Sequence, residues 1–524
     1  MAKRYYPIGM QDFENLRKKG YVYVDKTEYV YNLVTPGRFF FLSRPRRFGK
    51  SLLISTLKAY FEGKKELFEG LKIMELEKDW TVRPVFYLNL MMEKFSSIDI
   101  LNERLDRVLA DWEEMYGSHP KETTFSLRFE GLIKRAMEQT GQKVAILVDE
   151  YDKPLVDNID NPTLQDDMRD VLSSFYSVIK GMNGMIDFAM LAGVTKWAKV
   201  GVFSGLNSPD DISMQDDYAA VCGITEEELY SNFTEDILEF AKKRGTDEAQ
   251  MKKDLKEMYD GYHFSEDSPE IYNPFSLMQG FNTKKLNAYW FATGTPTYLV
   301  KLLQAGNYNL SNLSGVSVSA EKLGDISTPQ SDIVPILYQS GYLTIKGYDS
   351  DYESYTLDFP NREVRRGFFN SLLPQYIGAI NDNGGTFNIR NFIDDVEAAR
   401  IDDFFNRLKA LLANVPYTQA PAEKLEKLLE QQYQNIVYIL FTLMGFNTEV
   451  EHHTALGRID FTLKTKDYIY VMEFKTNGTA AEALAQIRES RYADCFANDP
   501  RKLFKIGVGF DHATRNLDEW LVEG

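Results

Sequence analysis

Four short stretches, Arg38–Ser43, Pro84–Leu90, Lys143–Val148 and Ile186–Gly193, are apolar at nearly every position and are separated by amphipathic segments of helical period. A strand with one wet face alternates apolar and polar side chains. A strand covered on both faces does not, so continuous apolar strands divided by helices predict a parallel sheet with helices on both sides.

Residues 44–51 read Arg-Pro-Arg-Arg-Phe-Gly-Lys-Ser, after the first strand and before a helix predicted over Ser51–Phe61. A tight loop between a strand and a helix N-terminus presents backbone N–H groups and the positive end of the helix dipole to phosphates. Gly49 allows close backbone approach, Lys50 reaches the β/γ-phosphates, and Ser51 ligates Mg²⁺. The general pattern begins with glycine where this chain has Arg44, and a GKS triplet alone equally suits a capped surface helix. Support comes from Ala145–Glu150 (AILVDE), an apolar strand ending in two acids. Asp149 is placed to hold Mg²⁺ through water and Glu150 to polarise the attacking water. The next strand leads to Thr195, a polar residue positioned to sense a γ-phosphate. No acid lies between Glu28 and Glu62, whereas Arg38, Arg44, Arg46, Arg47, Lys50 and Lys58 do. Arg44, Arg46 and Arg47 are therefore expected around the nucleotide, with ATP and Mg²⁺ as cofactors.

Composition limits the partners. Against 60 Lys and Arg stand 77 Asp and Glu, a formal net charge of −17. That argues against a whole surface built to hold nucleic acid, though not against a local basic groove. The longest apolar run, Ile436–Phe446, falls well short of the roughly 20 residues of a bilayer span. Met1–Met10 has no apolar stretch of a secretory signal. Two cysteines, Cys222 and Cys495, make no disulfide framework, and the five histidines are scattered. The chain is expected to be cytoplasmic, with no membrane partner; the sequence gives no oligomeric state.

Length predicts about three domains at roughly 150 residues each. The expected division is a P-loop domain over 1–205, a helical and winged-helix-like region over 206–380, and a third domain over 381–524. Thr225–Glu228 is a capping box opening a helix. Two aromatic loops follow, Tyr259–Phe264 and Ile271–Phe275. Asp332–Leu343 reads as a helix stopped by Gly341, then strands Leu343–Lys346 and Tyr352–Leu357, then a helix from near Arg362. Turn formers gather at Asn381–Gly385 and Val415–Pro421.

The last part begins with a helix, Glu423–Met444, and continues with a hairpin, Gly457–Lys475, turning at Lys464–Asp467. Strand alternation puts Glu473 and Lys475 on one face with Val471 and Ile469, and the hairpin sets Asp460 nearly opposite Met472 and Glu473. Two acids could hold Mg²⁺ as hard oxygen ligands, and Lys475 could orient water or stabilise charge on a phosphate. The same spacing also suits a strand-end salt bridge between Glu473 and Lys475. Glu430 could add a third carboxylate, and Gln486 and Tyr492 could pack beside the site. His452 and His453 read as loop residues.

The segments YVDKT (Tyr23–Thr27), FLSRPRRFGKSLLISTLKAYF (Phe41–Phe61), ILVDEYDKPL (Ile146–Leu155), FSGLNSPDDISM (Phe203–Met214) and YNPFSLM (Tyr272–Met278) resemble the bacterial AAA-ATPase-like proteins. The likeness covers nearly the whole chain. It implies that Arg44 is tolerated at the first loop position and that the C-terminus is a PD-(D/E)XK nuclease-like domain. Asp460, Glu473 and Lys475 then match the D…ExK arrangement, with Ile459 where that name has proline. The expected fold is α/β: a P-loop domain, a helical middle and a restriction-endonuclease-like end. The expected function is an ATPase coupled to Mg²⁺-dependent cleavage of nucleic acid, DNA more than RNA. The alternative is an ATP-driven switch or scaffold whose nuclease-like domain binds without cutting.

Overall fold

The structure of the protein is a computed structural model, and it describes residues 4–197, 209–292, 308–324, 333–377, 388–413, 422–445, 449–455, 458–475, 478–490, 493–511 and 516–524, with Leu299, Leu302, Leu303 and Val415. Two compact units result, one of Met1–Gly294 and Gly315–Val364, the other of Thr295–Ser314 and Arg365–Gly524.

The first unit is built on five strands: β1 (Phe39–Ser43), β2 (Val85–Asn89), β3 (Val144–Asp149), β4 (Ile186–Gly193) and β5 (Asp210–Asp211). They run in the order β2-β3-β4-β1-β5 and every pair is parallel. All of β3 is buried, and β4 is buried except at Asp187. β2, at the sheet edge, alternates instead: Phe86 and Leu88 are buried, their neighbours half-buried. Helices α1 (Lys50–Phe61), α2 (Ile98–Tyr116), α3 (Phe125–Thr140) and α4 (Pro162–Gly181) join the strands. α2 buries the stripe Leu101, Leu105, Val108, Leu109 and Trp112, and Trp112 and Phe129 of α3 pack on Phe86. Because β4 lies between β1 and β3, the carboxyl ends of all three open on one edge of the sheet, where open α/β sheets bind ligands.

The capping box forms as read. The Glu228 N–H donates to the Thr225 hydroxyl and the Thr225 N–H to the Glu228 carboxylate, opening a helix over Glu226–Arg244. Further on, a helix spans Val334–Gln339, and Gly341 turns the chain at φ +86°, where a Cβ would meet Pro45 at 2.6 Å. The hairpin Thr344–Asp349 with Ser354–Asp358 follows, then the helix Arg362–Ile377. A third strand, Val316–Ser319, pairs with the hairpin and was not read from sequence. Asp332 and residues 203–208 of the FSGLNSPDDISM segment lie outside the described residues.

In the second unit, α5 (Ala422–Met444) precedes β6 (Glu449–Ala455), β7 (Arg458–Lys464) and β8 (Tyr468–Lys475). After α6 (Ala480–Glu489) come β9 (Lys502–Asp511) and β10 (Asn516–Glu523), and the five strands form one sheet in chain order. Only β8 and β9 are parallel, and α6 is their crossover. α6 buries Ala480, Ala483, Leu484 and Ile487 against the sheet face that carries Val471. At Gly507 of β9 a Cβ would run into the Ala480 carbonyl, so glycine allows this close packing. The opposite face stacks Phe461 on Phe441 of α5, ring centroids 4.1 Å apart. His452 and His453 correct the sequence reading. They lie in β6 rather than a loop, because β6 extends the hairpin by one more antiparallel strand. Gly457, Tyr492, Asn381–Gly385 and residues 416–421 fall outside the described residues. Among the described residues no helix is long and apolar enough to cross a membrane.

Candidate nucleotide cleft and paired acids

The loop from β1 into α1 is shaped for approach by an anion. α1 starts from Gly49 at φ +107° without any side-chain cap, and a Cβ there would have nothing within 4 Å. The first N–H groups of α1 thus lack a side-chain acceptor at the helix's positive end. A cleft of about 390 Å³ opens over them, lined by Arg46–Leu53, Glu150 and Lys153. Its other walls are Pro7–Gln11, Val22–Val24 with Lys26, Val221–Ile224, and Pro274, Phe275 and Met278. Sequence reasoning missed these walls, although YVDKT and YNPFSLM each hold part of one.

Lys50 is only 4% exposed. Its ammonium donates to the Arg44 carbonyl at 3.0 Å and the Pro45 carbonyl at 3.4 Å, and stands 3.6 Å from Glu150 Oε1. Glu150 sits at φ +56°, a left-handed conformation unusual for a non-glycine residue and of the kind found where strain serves a site. Asp149 is fully buried, and neither carboxylate oxygen makes a hydrogen bond of ordinary geometry. Burial, then the neighbouring Glu150, push its carboxyl up to about 6, while Ser51 and Lys50 pull the other way. A carboxylate sealed this deeply is costly unless a cation joins it. A hard divalent ion suits that oxygen pair and the Ser51 hydroxyl.

The remaining expected residues separate. Arg46 and Arg47 are exposed at the cleft, with the Arg47 guanidinium 5.0 Å over the Phe275 ring. Arg44 points elsewhere. Its buried guanidinium donates to the carbonyls of Ser43, Ser213, Tyr218 and Ala219 and lies 4.1 Å over the Phe264 ring. Thr195 is buried as well, and its hydroxyl and N–H donate to Asp152 Oδ2 at 2.5 and 2.6 Å. Asp152 also accepts from the Val194 N–H, and burial with Glu150 nearby raises its carboxyl pKa. Asp152 was not singled out in the sequence; an acid three residues beyond Asp149 was the available signal.

In the second unit, β7 and β8 pair Asp460 with Glu473 and Arg458 with Lys475, and β6 pairs His453 with Asp460. Glu473 is fully buried, and its partner across β9 is Gly507. Directly paired residues on neighbouring strands share a sheet face. The register therefore sets position 460 opposite position 473; the side chains of Asp460, His452, His453 and Glu430 are outside the description. Gln486 is half-buried on α6.

Residues 7–203 match the family described as a predicted AAA-ATPase, and residues 428–520 match the PD-(D/E)XK nuclease superfamily. The whole chain is similar to the "Uncharacterized protein in vnfD 5'region" of Azotobacter chroococcum mcd 1, 33% identical over 538 aligned positions that take in 100% of this chain and 99% of that one. The parallel sheet flanked by helices and the mixed C-terminal sheet agree with those matches, and the protein belongs to the AAA-ATPase-like family, with a C-terminal domain of the PD-(D/E)XK nuclease superfamily.

Proposed function

We propose that the protein binds MgATP in the cleft of its first unit, hydrolyses it, and couples this to Mg²⁺-dependent cleavage of nucleic acid, DNA in preference to RNA. One observation carries the reading: Lys50 and Ser51 on one strand–helix turn meet Asp149 and Glu150 on another, around the buried Asp149 carboxyl. The N–H groups after Gly49 cradle the phosphates, and Lys50 exchanges its carbonyl contacts for the β/γ-phosphates. Ser51 and Asp149 hold the magnesium, directly and through water. When bound, that ion neutralises charge on the phosphates. Glu150 accepts the proton of the attacking water. Arg46 and Arg47 add positive charge at the cleft, whereas Arg44 serves the nucleotide from behind, by anchoring the loop. Thr195 is set by Asp152 at the end of β4, where a γ-phosphate would be sensed.

For the C-terminal domain, Asp460 and Glu473 are the proposed metal ligands, with Lys475 orienting water or countering phosphate charge. The proposed division of the chain is 1–205, 206–380 and 381–524. Calorimetry with MgATP tests the first step. Lys50→Ala should weaken binding at least about a hundredfold, the scale of lost charge-assisted hydrogen bonds to phosphate. Wild-type affinity in that variant would remove the phosphate-loop assignment.

A further inference from the structure

The chain passes from the first unit to the second after Gly294 and again after Val364. Two buried residues beside these crossings, Trp290 and Glu363, are bonded to each other. The Trp290 backbone N–H donates to Glu363 Oε1 at 2.7 Å, and the Ser276 hydroxyl donates to the same oxygen at 3.0 Å. The Trp290 indole N–H donates to the carbonyl of Arg46, in the phosphate loop, at 3.0 Å. Ser276 belongs to the helix Pro274–Thr283, which supplies Pro274, Phe275 and Met278 to the cleft wall. Glu363 and Trp290 together therefore join the cleft wall, the Arg46 backbone and both places where the chain leaves the unit.

A buried acid is an expensive joint. An apolar residue of similar size would cost less, unless the hydrogen bonds themselves matter. Glu363 is 1% exposed, and its second oxygen makes no hydrogen bond. Burial holds its carboxyl up at about 8, so near neutrality it is the uncharged acid. The groups facing it are the Ser276 hydroxyl, Trp290, the Tyr289 backbone N–H, and the phenols of Tyr259 and Tyr262, which burial pushes above their ordinary range. Its chain neighbour Arg362 stands 3.6 Å from Glu257.

We propose that Trp290 and Glu363 are positioning residues for the phosphate loop, a latch that fixes the Arg46 carbonyl and links nucleotide occupancy to the two crossings between the units. The latch rests on the nucleotide-binding reading above. Both bonds end on Glu363 Oε1 as the acceptor, so what the latch needs at position 363 is a buried acceptor of this length.

The test is calorimetry of the full chain with magnesium ATPγS at pH 7. Glu363→Leu, which removes the acceptor, should bind about fivefold more weakly than wild type, the worth of one neutral hydrogen bond. Glu363→Gln, which restores an acceptor without charge, should bind like wild type. Trp290→Phe, which keeps the ring and loses the indole donor, should be about fivefold weaker. Circular dichroism of each variant checks the fold. Unchanged affinity in a folded Trp290→Phe, or a Glu363→Gln as weak as Glu363→Leu, overturns the latch while leaving the nucleotide reading intact. A wild type that binds no nucleotide overturns both.

Discussion

Replacing Asp149 with asparagine should make the empty protein more stable while abolishing its use of magnesium nucleotide. Asp149 is sealed in the protein with its carboxyl held at about 6, against 3.8 for an unperturbed aspartate. Its folded pKa is raised, so the folded state holds the proton more tightly than the unfolded chain. The stability it contributes is complete below pH 3.8 and is lost as pH climbs to about 6, after which the loss is constant. The displacement corresponds to about 3 kcal/mol at pH 7, an upper figure because the site relaxes around the charge. Asparagine has nearly the same shape and never ionises. The gain of Asp149→Asn over wild type should thus be near 1 kcal/mol at pH 4.5 and up to about 3 kcal/mol at pH 7. Thermal and urea unfolding at the two pH values measure it. Saturating MgATP should raise the wild-type transition, by about 2.7 kcal/mol at a hundred times the dissociation constant, and leave the variant where it was. A gain that does not change with pH, or a variant less stable than wild type at pH 7, would refute the reasoning.

Two further outcomes follow from the same geometry. Glu150→Gln keeps the cleft's shape but loses the proton acceptor, so it should bind ATP like wild type and hydrolyse it about 10²–10⁴-fold more slowly in a phosphate-release assay. In the second unit, Asp460→Ala and Glu473→Ala should each remove metal-dependent cleavage. Lys475→Ala should lose cleavage yet still bind Mn²⁺ by calorimetry, because a charged lysine offers a metal no lone pair.

Much of the architecture was legible because it rests on local pattern. β3 and β4 read as continuous apolar runs since helices cover both faces, and Thr225 announced its helix through a capping box that needs only neighbours in sequence. The opposition of Asp460 and Glu473 followed from alternation and one short turn. What escaped depends on distant pairing. β5 is two aspartates with no apolar signal, and β6 is the polar run around His452 and His453. Each is a strand only because a neighbouring strand supplies its hydrogen bonds. Arg44 shows the same limit in the site. A basic residue opening a phosphate loop reads as a phosphate ligand, and only the folded chain brings the carbonyls of Ser213, Tyr218 and Ala219 around its guanidinium. Trp290 and Glu363 gave no local sign at all, since their bond to each other and to Arg46 spans long stretches of chain.

The central claim is that one chain carries a nucleotide switch and a metal-dependent nuclease that answer to each other. Incubating the purified full-length protein with plasmid, single-stranded DNA and RNA, in Mg²⁺ or Mn²⁺ and with or without ATP, tests it most directly. The account predicts metal-dependent cleavage by wild type that changes with ATP, an ATP response absent in Lys50→Ala, and no cleavage by Asp460→Ala. Cleavage retained in Asp460→Ala would contradict the site. A wild type inert on every substrate would contradict the nuclease and favour a domain that only binds.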